Sequence, residues 1–327
     1  MKISTIIILM SALLITGCPG TMPANLEMQE KPVYAGFAEI DPAKNHLILV
    51  GDTQGTSQWE FWRERNDRER RLIVDEIARQ EPAFVVNLGD LTTQGSSAKH
   101  WQEFDDLHAA LREKRIPYLP ILGNHDVYGN NQSALQNFFS RFPHLSQQRW
   151  YSFTWKNVAF VMVDSNFSMM TEEQKKEQAE WYLDELERLE RNGSVDHIIV
   201  CCHRPPFTNS RVVKPDGEVQ RSFADPFVRF RKTRLFFSGH AHTYERFQSG
   251  GKFFIVSGGG GGPRQKVLTN PRKRRYEDLF SGPELRPFHF CRIEARDGSL
   301  FFSVLRLGSD STFSIAESFT IPDPGTP

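Results

Sequence analysis

Five short polar islands carry the side chains able to do chemistry in this sequence. They are Asp52-Thr53-Gln54 after Gly51, Asp90 after Gly89, Asn124-His125-Asp126 after Gly123, His203 before Arg204, and His240-Ala241-His242 after Gly239. Carboxylates, imidazoles and amide oxygens together form the donor set of a divalent transition metal such as Zn, Mn or Fe. The islands contain no cysteine, which disfavours a closed structural zinc site. Each island adjoins an apolar run: Leu47 to Val50, Phe84 to Leu88, Tyr118 to Leu122, Ile198 to Cys202 and Leu235 to Phe237. Such runs read as buried strands, and polar tips repeated in order gather distant segments onto one sheet edge. Side chains at i and i+2 of extended chain share a face, so Asp52 with Gln54, and His240 with His242, are expected to converge. Glycines 51, 89, 123 and 239 are expected to permit the sharp exits that aim them.

The elements around the islands follow from periodicity. A charged helix is expected from about Glu60 to Gln80, with Leu72, Ile73, Ile77 and Ala78 inward and its Arg and Glu residues solvated. A second, from about Ser97 to Lys114, carries Trp101, Phe104, Leu107, His108 and Leu111 on one stripe, where His108 reads as a packed or surface residue rather than a ligand. Arg149 to Trp155 and Val158 to Asp164 read as a hairpin. Thr171 can cap a long helix to about Arg191, ended by Gly193. From Leu235 the pattern turns β-rich, with strands at 235–238, 252–257, 288–294, 300–305 and 313–319. Strand–helix alternation followed by a β-rich section predicts an α/β fold, a four-layer α/β/β/α sandwich of two mixed sheets flanked by helices. The glycine run Gly258 to Gly262 lacks the spacing of a phosphate-binding loop. It is expected to let backbone pass close to His240 and His242. After it, Arg264, Lys266, Arg272, Lys273, Arg274 and Arg275 read either as a solvated basic segment or as a surface steering anionic substrates or meeting lipid phosphates.

The 327 residues carry 40 basic and 40 acidic side chains. That balance, with no groove signature of interleaved basic and aromatic residues, disfavours a nucleic-acid partner. Lys2, the apolar stretch Ile6 to Leu14 and then Leu14-Ile15-Thr16-Gly17-Cys18 resemble a bacterial lipobox. Residues 1–17 then form a signal peptide, and Cys18 takes the lipid that anchors an exported protein to a bacterial membrane; the alternative is an ordinary secretory signal. Residues 18–40 read as a linker, with Pro19 to Lys31 a flexible tether, residues 41–320 as the folded domain and 321–327 as a tail. Adjacent Cys201 and Cys202 point to opposite strand faces and read as buried apolar residues, so no disulfide framework is expected.

The ordered motifs from Leu47 to Phe319 resemble the calcineurin-like metallophosphoesterase superfamily, whose pattern is D-x-H, GD, GNH, H and GH-x-H. The resemblance implies a metallo-dependent phosphatase fold and two divalent metal ions. It places Asp90 between both ions and Asp52, His242 and Gln54 at the first. Asn124, His203 and His240 fall at the second. It sets His125 beside the phosphate as the group that protonates the leaving oxygen or stabilises transition-state charge. Asn124 and Arg204 join it in binding substrate, although a structural ion pair is an equal reading of Arg204. Two metals about 3.5–4 Å apart clamp a phosphate and acidify a water. The sequence departs from the pattern at Gln54, where many relatives have His, and at Thr93, where purple acid phosphatases have a metal-bound Tyr. A purple iron–tyrosinate centre is therefore not expected, although Gly239 to Arg246 is very similar to the end motif of that group. The implied activity is hydrolysis of phosphate monoesters outside the cytoplasm. The alternatives are a phosphodiesterase or nucleotide-directed hydrolase of the same fold, and a noncatalytic metal- or phosphate-binding surface lipoprotein.

Overall fold

The chain enters one sheet, crosses to a second and returns to the first. A computed structural model describes residues 31–57 and 60–322. Strands β1 (His46–Val50), β2 (Val85–Asn87) and β3 (Tyr118–Pro120) pair in parallel. The second sheet takes β4 (Tyr151–Trp155), β5 (Val158–Met162), β6 (His197–Cys202), β7 (Thr233–Ser238), β8 (Tyr244–Ser249) and β9 (Lys252–Ser257). Its order is β4-β5-β6-β7-β9-β8, and β5, β6, β7 and β9 run parallel. Strands β10 (His289–Arg296), β11 (Ser299–Leu307) and β12 (Phe313–Ile321) return antiparallel, completing the order β12-β11-β10-β1-β2-β3.

Alternation along the second sheet sets the layering. Phe160, Ile199, Cys201, Leu235 and Phe237 join the core shared with the first sheet. Their neighbours Val161, Val200, Cys202 and Phe236 face a separate core on the other side. Strands buried on both faces need a layer on each. The outer layer here is helix α5 (Glu172–Arg191), with the helical stretch at residues 217–227, contributing Tyr182, Leu186, Leu189, Phe223 and Phe227. Helices α1 (Asp67–Gln80), α2 (Ala98–Leu107), α3 (Ala109–Glu113) and α4 (Asn131–Arg141) add Ile73, Ile77, Trp101, Phe104, Leu111 and Phe138 to the core of the first sheet. Each large apolar side chain so buried contributes about 1.5–3 kcal/mol. The result is the expected α/β/β/α sandwich, with Cys201 and Cys202 on opposite faces and unbridged.

Several local expectations change. The first helix begins at Asp67, because the Asn66 amide is engaged by the carbonyls of Gly261 and Gly262 (3.2 and 3.4 Å). Arg70 is not solvated. It lies on the inward face with Ile73, Val74 and Ile77, and donates to the Thr53 carbonyl at 2.8 Å. The second helix divides at His108, whose ring is buried between the Phe104 carbonyl (3.0 Å) and the Tyr118 hydroxyl (3.3 Å). Helix α4, capped by the Asn130 side chain, was not evident from periodicity: only Ala134, Phe138 and Arg141 are buried on it. Helix α5 (Glu172–Arg191) has the expected Thr171 cap, completed by Gln174. It ends in extended geometry at Asn192 rather than in a glycine turn.

The linker reading of residues 18–40 fails over its last stretch. Tyr34 is buried, Phe37 and Ile40 pack on the core, and the Ala35 carbonyl accepts from the Tyr118 amide. Residues 1–17, Cys18 and the tether to residue 30 lie outside the described residues. No helix among the described residues is long and apolar enough to cross a membrane.

Candidate metal centre

The parallel strands of both sheets end at a common edge, and the islands stand there. Asp52, Asp90 and Asn124 follow β1, β2 and β3, while His203 follows β6 and His240 and His242 follow β7. Their donor atoms form two groups that share one carboxylate. Asp90, His203 and His240 make one, and Asp52, Asp90 and His242 the other, with the atoms of each within 4.8 Å of one another. His203 Nε2 lies 3.4 Å from Asp90 Oδ1 and 3.1 Å from Asn124 Oδ1. His242 Nε2 lies 3.3 Å from Asp52 Oδ1 and 3.3 Å from Gln54 Nε2, which also donates to Asp90 Oδ2 at 3.2 Å. The histidines of the His-Ala-His island thus divide between the groups instead of sharing one.

The backbone reason corrects the expectation placed on the glycines. Asp52, Asp90 and His240 themselves adopt left-handed φ angles of 60°, 55° and 65°. Such angles in non-glycine residues store strain of about 1–3 kcal/mol each and cluster at functional sites. Of the four preceding glycines only Gly89 needs a positive φ. The others are small because something touches them: a Cβ on Gly123 would lie 2.2 Å from Asp90 Oδ1, and one on Gly239 2.6 Å from Asp52 Oδ2. The glycine run after β9 does the same from behind. A Cβ on Gly258 would meet the Ala241 carbonyl at 2.4 Å and Asp52 Oδ2 at 2.7 Å, and one on Gly262 the His242 ring at 2.7 Å.

The rings are oriented by backbone. His203 Nδ1 donates to the Leu88 carbonyl and His242 Nδ1 to that of Pro263, both at 2.8 Å. That arrangement fixes the tautomer and turns each Nε2 lone pair toward the carboxylates, as in metal-ligating histidines. Burial opposes charge on His203, yet the adjacent Asp90 carboxylate pushes it up to about 9. In return, and against burial, His203 and His125 hold Asp90 well below the carboxylate range. Burial and His203 keep His240 neutral. A proton on His203 therefore occupies ground that a cation would take, so loading would release it. Gln54 Oε1 is buried without a partner. An orphaned amide oxygen beside two carboxylates and inward-facing imidazole nitrogens fits a pair of divalent cations and their hard-to-borderline donor preference.

His125 stands apart from both groups. Its amide donates to Asp90 Oδ1 at 2.9 Å, and its Nδ1 meets the Thr93 carbonyl at 2.8 Å. The backbone of residue 93 thus supports the imidazole, while the Thr93 hydroxyl turns away to the Gly55 carbonyl. Arg204 donates its amide to Ser165 Oγ, and its charge is felt by His240. No ion pair of its guanidinium is found among the described residues.

Sequence reasoning missed the residues that hold the tips together. Asp126 is fully buried and accepts from the amides of Leu91 and Thr92 with one oxygen and of Gly123 with the other, tying the loop after β2 to that after β3. Ser165 Oγ accepts from the amides of His203 and Arg204. The Asn166 amide reaches the Leu122 carbonyl, linking the edges of the two sheets. Arg70 could have been found from its i+3, i+4, i+7 relation to apolar residues; the serine and asparagine leave no comparable signal.

Comparison with known proteins agrees with the geometry. Purple acid phosphatase 21 of Arabidopsis thaliana is 26% identical over 184 residues, 54% of this chain and 41% of its own length. Purple acid phosphatase 1 of Ipomoea batatas is 26% identical over 175 residues, 50% and 36% of the two chains. The chain spans less than half the length of these relatives. Among solved structures, the purple acid phosphatase PPD1 of yellow lupin matches with a TM-score of 0.63 and 17% identity over 84% of this chain and 53% of that one. GAP50, the anchor in the inner membrane complex of Plasmodium, matches at 0.61 and 15% over 86% and 89%. A dimetal phosphatase from Danio rerio matches at 0.52 and 15% over 85% and 98%. These structural likenesses bear on the fold alone. The sequence profile of calcineurin-like phosphoesterases matches residues 46–244, from the first strand of the cradle to two residues beyond its last histidine. A match over more than half the chain, enclosing every residue of both donor groups, makes this protein a member of the calcineurin-like phosphoesterase family.

Proposed function

We propose that this protein hydrolyses phosphate esters, monoesters in preference to diesters, and works outside the cytoplasm on a lipid anchor at Cys18. The observation that carries the catalytic reading is the pair of donor groups sharing Asp90. Asp52, Gln54, Asp90 and His242 would hold one divalent cation, and Asp90, Asn124, His203 and His240 the other. When bound, two such ions supply Lewis-acid charge to a phosphoryl group and bring the pKa of a water near neutrality. Asn124 and Arg204 bind phosphoryl oxygens, Arg204 offering the forked donor pair that suits an oxyanion. His125 is positioned as the acid. Burial opposes its charge, but the Asp90 carboxylate raises it above the usual histidine range. With Nδ1 committed to Thr93, Nε2 is the atom left to deliver a proton. Water oxygen bonds to phosphorus, the bond to the leaving oxygen breaks, and that oxygen keeps the electron pair and takes the His125 proton. The products are an alcohol and inorganic phosphate.

The monoester preference is supported by the Gly239 to Arg246 motif and by the purple acid phosphatases among the relatives. Metal analysis, with turnover of a monoester and a diester by Asp90→Asn and His125→Ala, tests the reading. Bound metal with turnover abolished or cut by at least about a hundredfold in both variants is expected. Turnover indifferent to both refutes it. A noncatalytic metal- or phosphate-binding role is the second reading, motivated by the departures from the family pattern at Gln54 and Thr93. Two bound metals without turnover of any ester would establish it. Anchoring is supported by the lipobox-like Leu14 to Cys18. Fatty-acid labelling that persists in Cys18→Ala would overturn it.

A further inference from the structure

A cavity of about 790 Å³ has His125 in its wall but none of the residues of the two donor groups, and the proposed mechanism does not account for it. Its wall includes His125, Thr93, Gln94, Lys99, His100 and Tyr128. Its size suits a small organic molecule rather than a bare phosphate. The position follows from chemistry: the group that protonates the leaving oxygen must stand beside it, so whatever that oxygen belongs to extends into the space His125 lines. Among the described residues, the aromatic side chains more than half exposed are Phe61, Trp62 and Tyr128, at 79%, 70% and 62%. Tyr128 lines the cavity with its ring centroid 6.5 Å from that of His125. Phe61 and Trp62 directly follow Glu60, another wall residue, and meet edge to face at 5.1 Å. The exposed Tyr128 ring in the wall leaves an apolar face to water. The polar lining is close to neutral. Glu60 is held by Arg63 at 2.8 Å, Asp67 by Arg70 at 3.0 Å, and Lys99 lies 3.9 Å from Glu103. His100 Nδ1 is buried without a partner.

We propose that this cavity is the leaving-group site, and that it selects phosphoesters whose leaving alcohol carries a planar aromatic ring, a nucleoside foremost. The ring stacks at Tyr128, while His100 and Gln94 meet its polar edge. This inference rests on the phosphoesterase reading and names the substrate class for it. Its test compares adenosine 5′-monophosphate with ribose 5-phosphate on the Mn-loaded protein. The two share the same leaving oxygen and differ by the base. The expected ratio of kcat/KM is about five- to a hundredfold in favour of the nucleotide, the range spanned by base–aromatic stacking. Tyr128→Ala should bring that ratio near one through KM, and Tyr128→Phe should keep it. A ratio near one in the native protein, or one unchanged in Tyr128→Ala, overturns the proposal. If neither ester is hydrolysed the phosphoesterase reading fails by itself, and equilibrium binding still decides the cavity: a nucleotide bound no tighter than ribose 5-phosphate refutes it.

Discussion

Replacing Gly258 by alanine places one methyl group where the structure has no room for it. The new carbon would stand 2.4 Å from the Ala241 carbonyl oxygen and 2.7 Å from Asp52 Oδ2. Ordinary C···O contacts are about 3.3–3.6 Å, so the overlaps are about 0.9 and 0.6 Å. Neither obstacle is a flexible side-chain end. Ala241 lies between two of the histidines, and Asp52 is pinned by the His240 amide, which donates to both its oxygens at 3.0 Å. Relief therefore moves Asp52, or the His240–His242 segment, by more than half an ångström. Over-packing of this kind destabilises by about 1–3 kcal/mol, and misplacing a reacting array by about 1 Å lowers rate about a hundredfold. The assay pairs thermal unfolding, with chelator and with added Mn, against kcat/KM for a monoester. Gly258→Ala should lose most of the metal-dependent rise in Tm and at least tenfold in kcat/KM. Gly193→Ala, where an added Cβ meets nothing within 4 Å, should match the native protein in both. Native metal response and native turnover in Gly258→Ala would show that backbone crowding does not set the position of Asp52.

Other outcomes follow from buried groups. Burial lowers His108 to about 3 and His289 to about 4, so the unfolded chain takes up these protons first. Stability should be full above about pH 6.5 and fall by about 2 kcal/mol per histidine between pH 7 and 5, measured as urea midpoints; a flat midpoint over that window contradicts the burial argument. Asp105→Ala strands Arg141, which donates to both Asp105 oxygens at 2.7–3.1 Å in a buried pair. A loss of about 3–5 kcal/mol is expected in chemical denaturation, and a loss under 1 kcal/mol would count against it. Gln54→His should tighten metal at the Asp52–Asp90–His242 group by about tenfold in chelator competition, since an imidazole nitrogen replaces an amide oxygen. Unchanged or weaker affinity would place residue 54 outside the coordination sphere.

The islands were legible because buried parallel strands leave long apolar runs that end abruptly in polar residues. The layering was legible for the same reason, through the change from strand–helix alternation to β-rich sequence. Conformation at the tips was not. Asp52, Asp90 and His240 take left-handed turns, and distant segments crowd Gly51, Gly123 and Gly239; contacts between segments so far apart in sequence leave no local pattern. Tyr34 escaped notice because the apolar residues of its short, proline-containing stretch, Val33, Tyr34, Phe37 and Ile40, form no strand or α-helix, although its ring packs against Phe104, Tyr118 and Phe142. Helix α4 hid for a related reason: one of its few inward positions is an arginine whose partner lies 36 residues away.

Both donor groups draw side chains from both sheets, joining residues such as Gln54 and His242 that stand 188 positions apart. Cations seated there would rivet the edge of the sandwich and resist shear of one sheet over the other. Contacts closed so late along the chain belong to the native state more than to the folding nucleus, so chelation should speed unfolding far more than it slows refolding. The coupling also runs the other way. A cavity opened between the sheets at Phe153 or Phe160, whose rings stack at 4.9 Å, lets the layers slide and carries that slip to the edge as a misregistered pair of sites. Substitutions in the core far from the islands would then be read out at the edge, as a changed separation of the two donor groups.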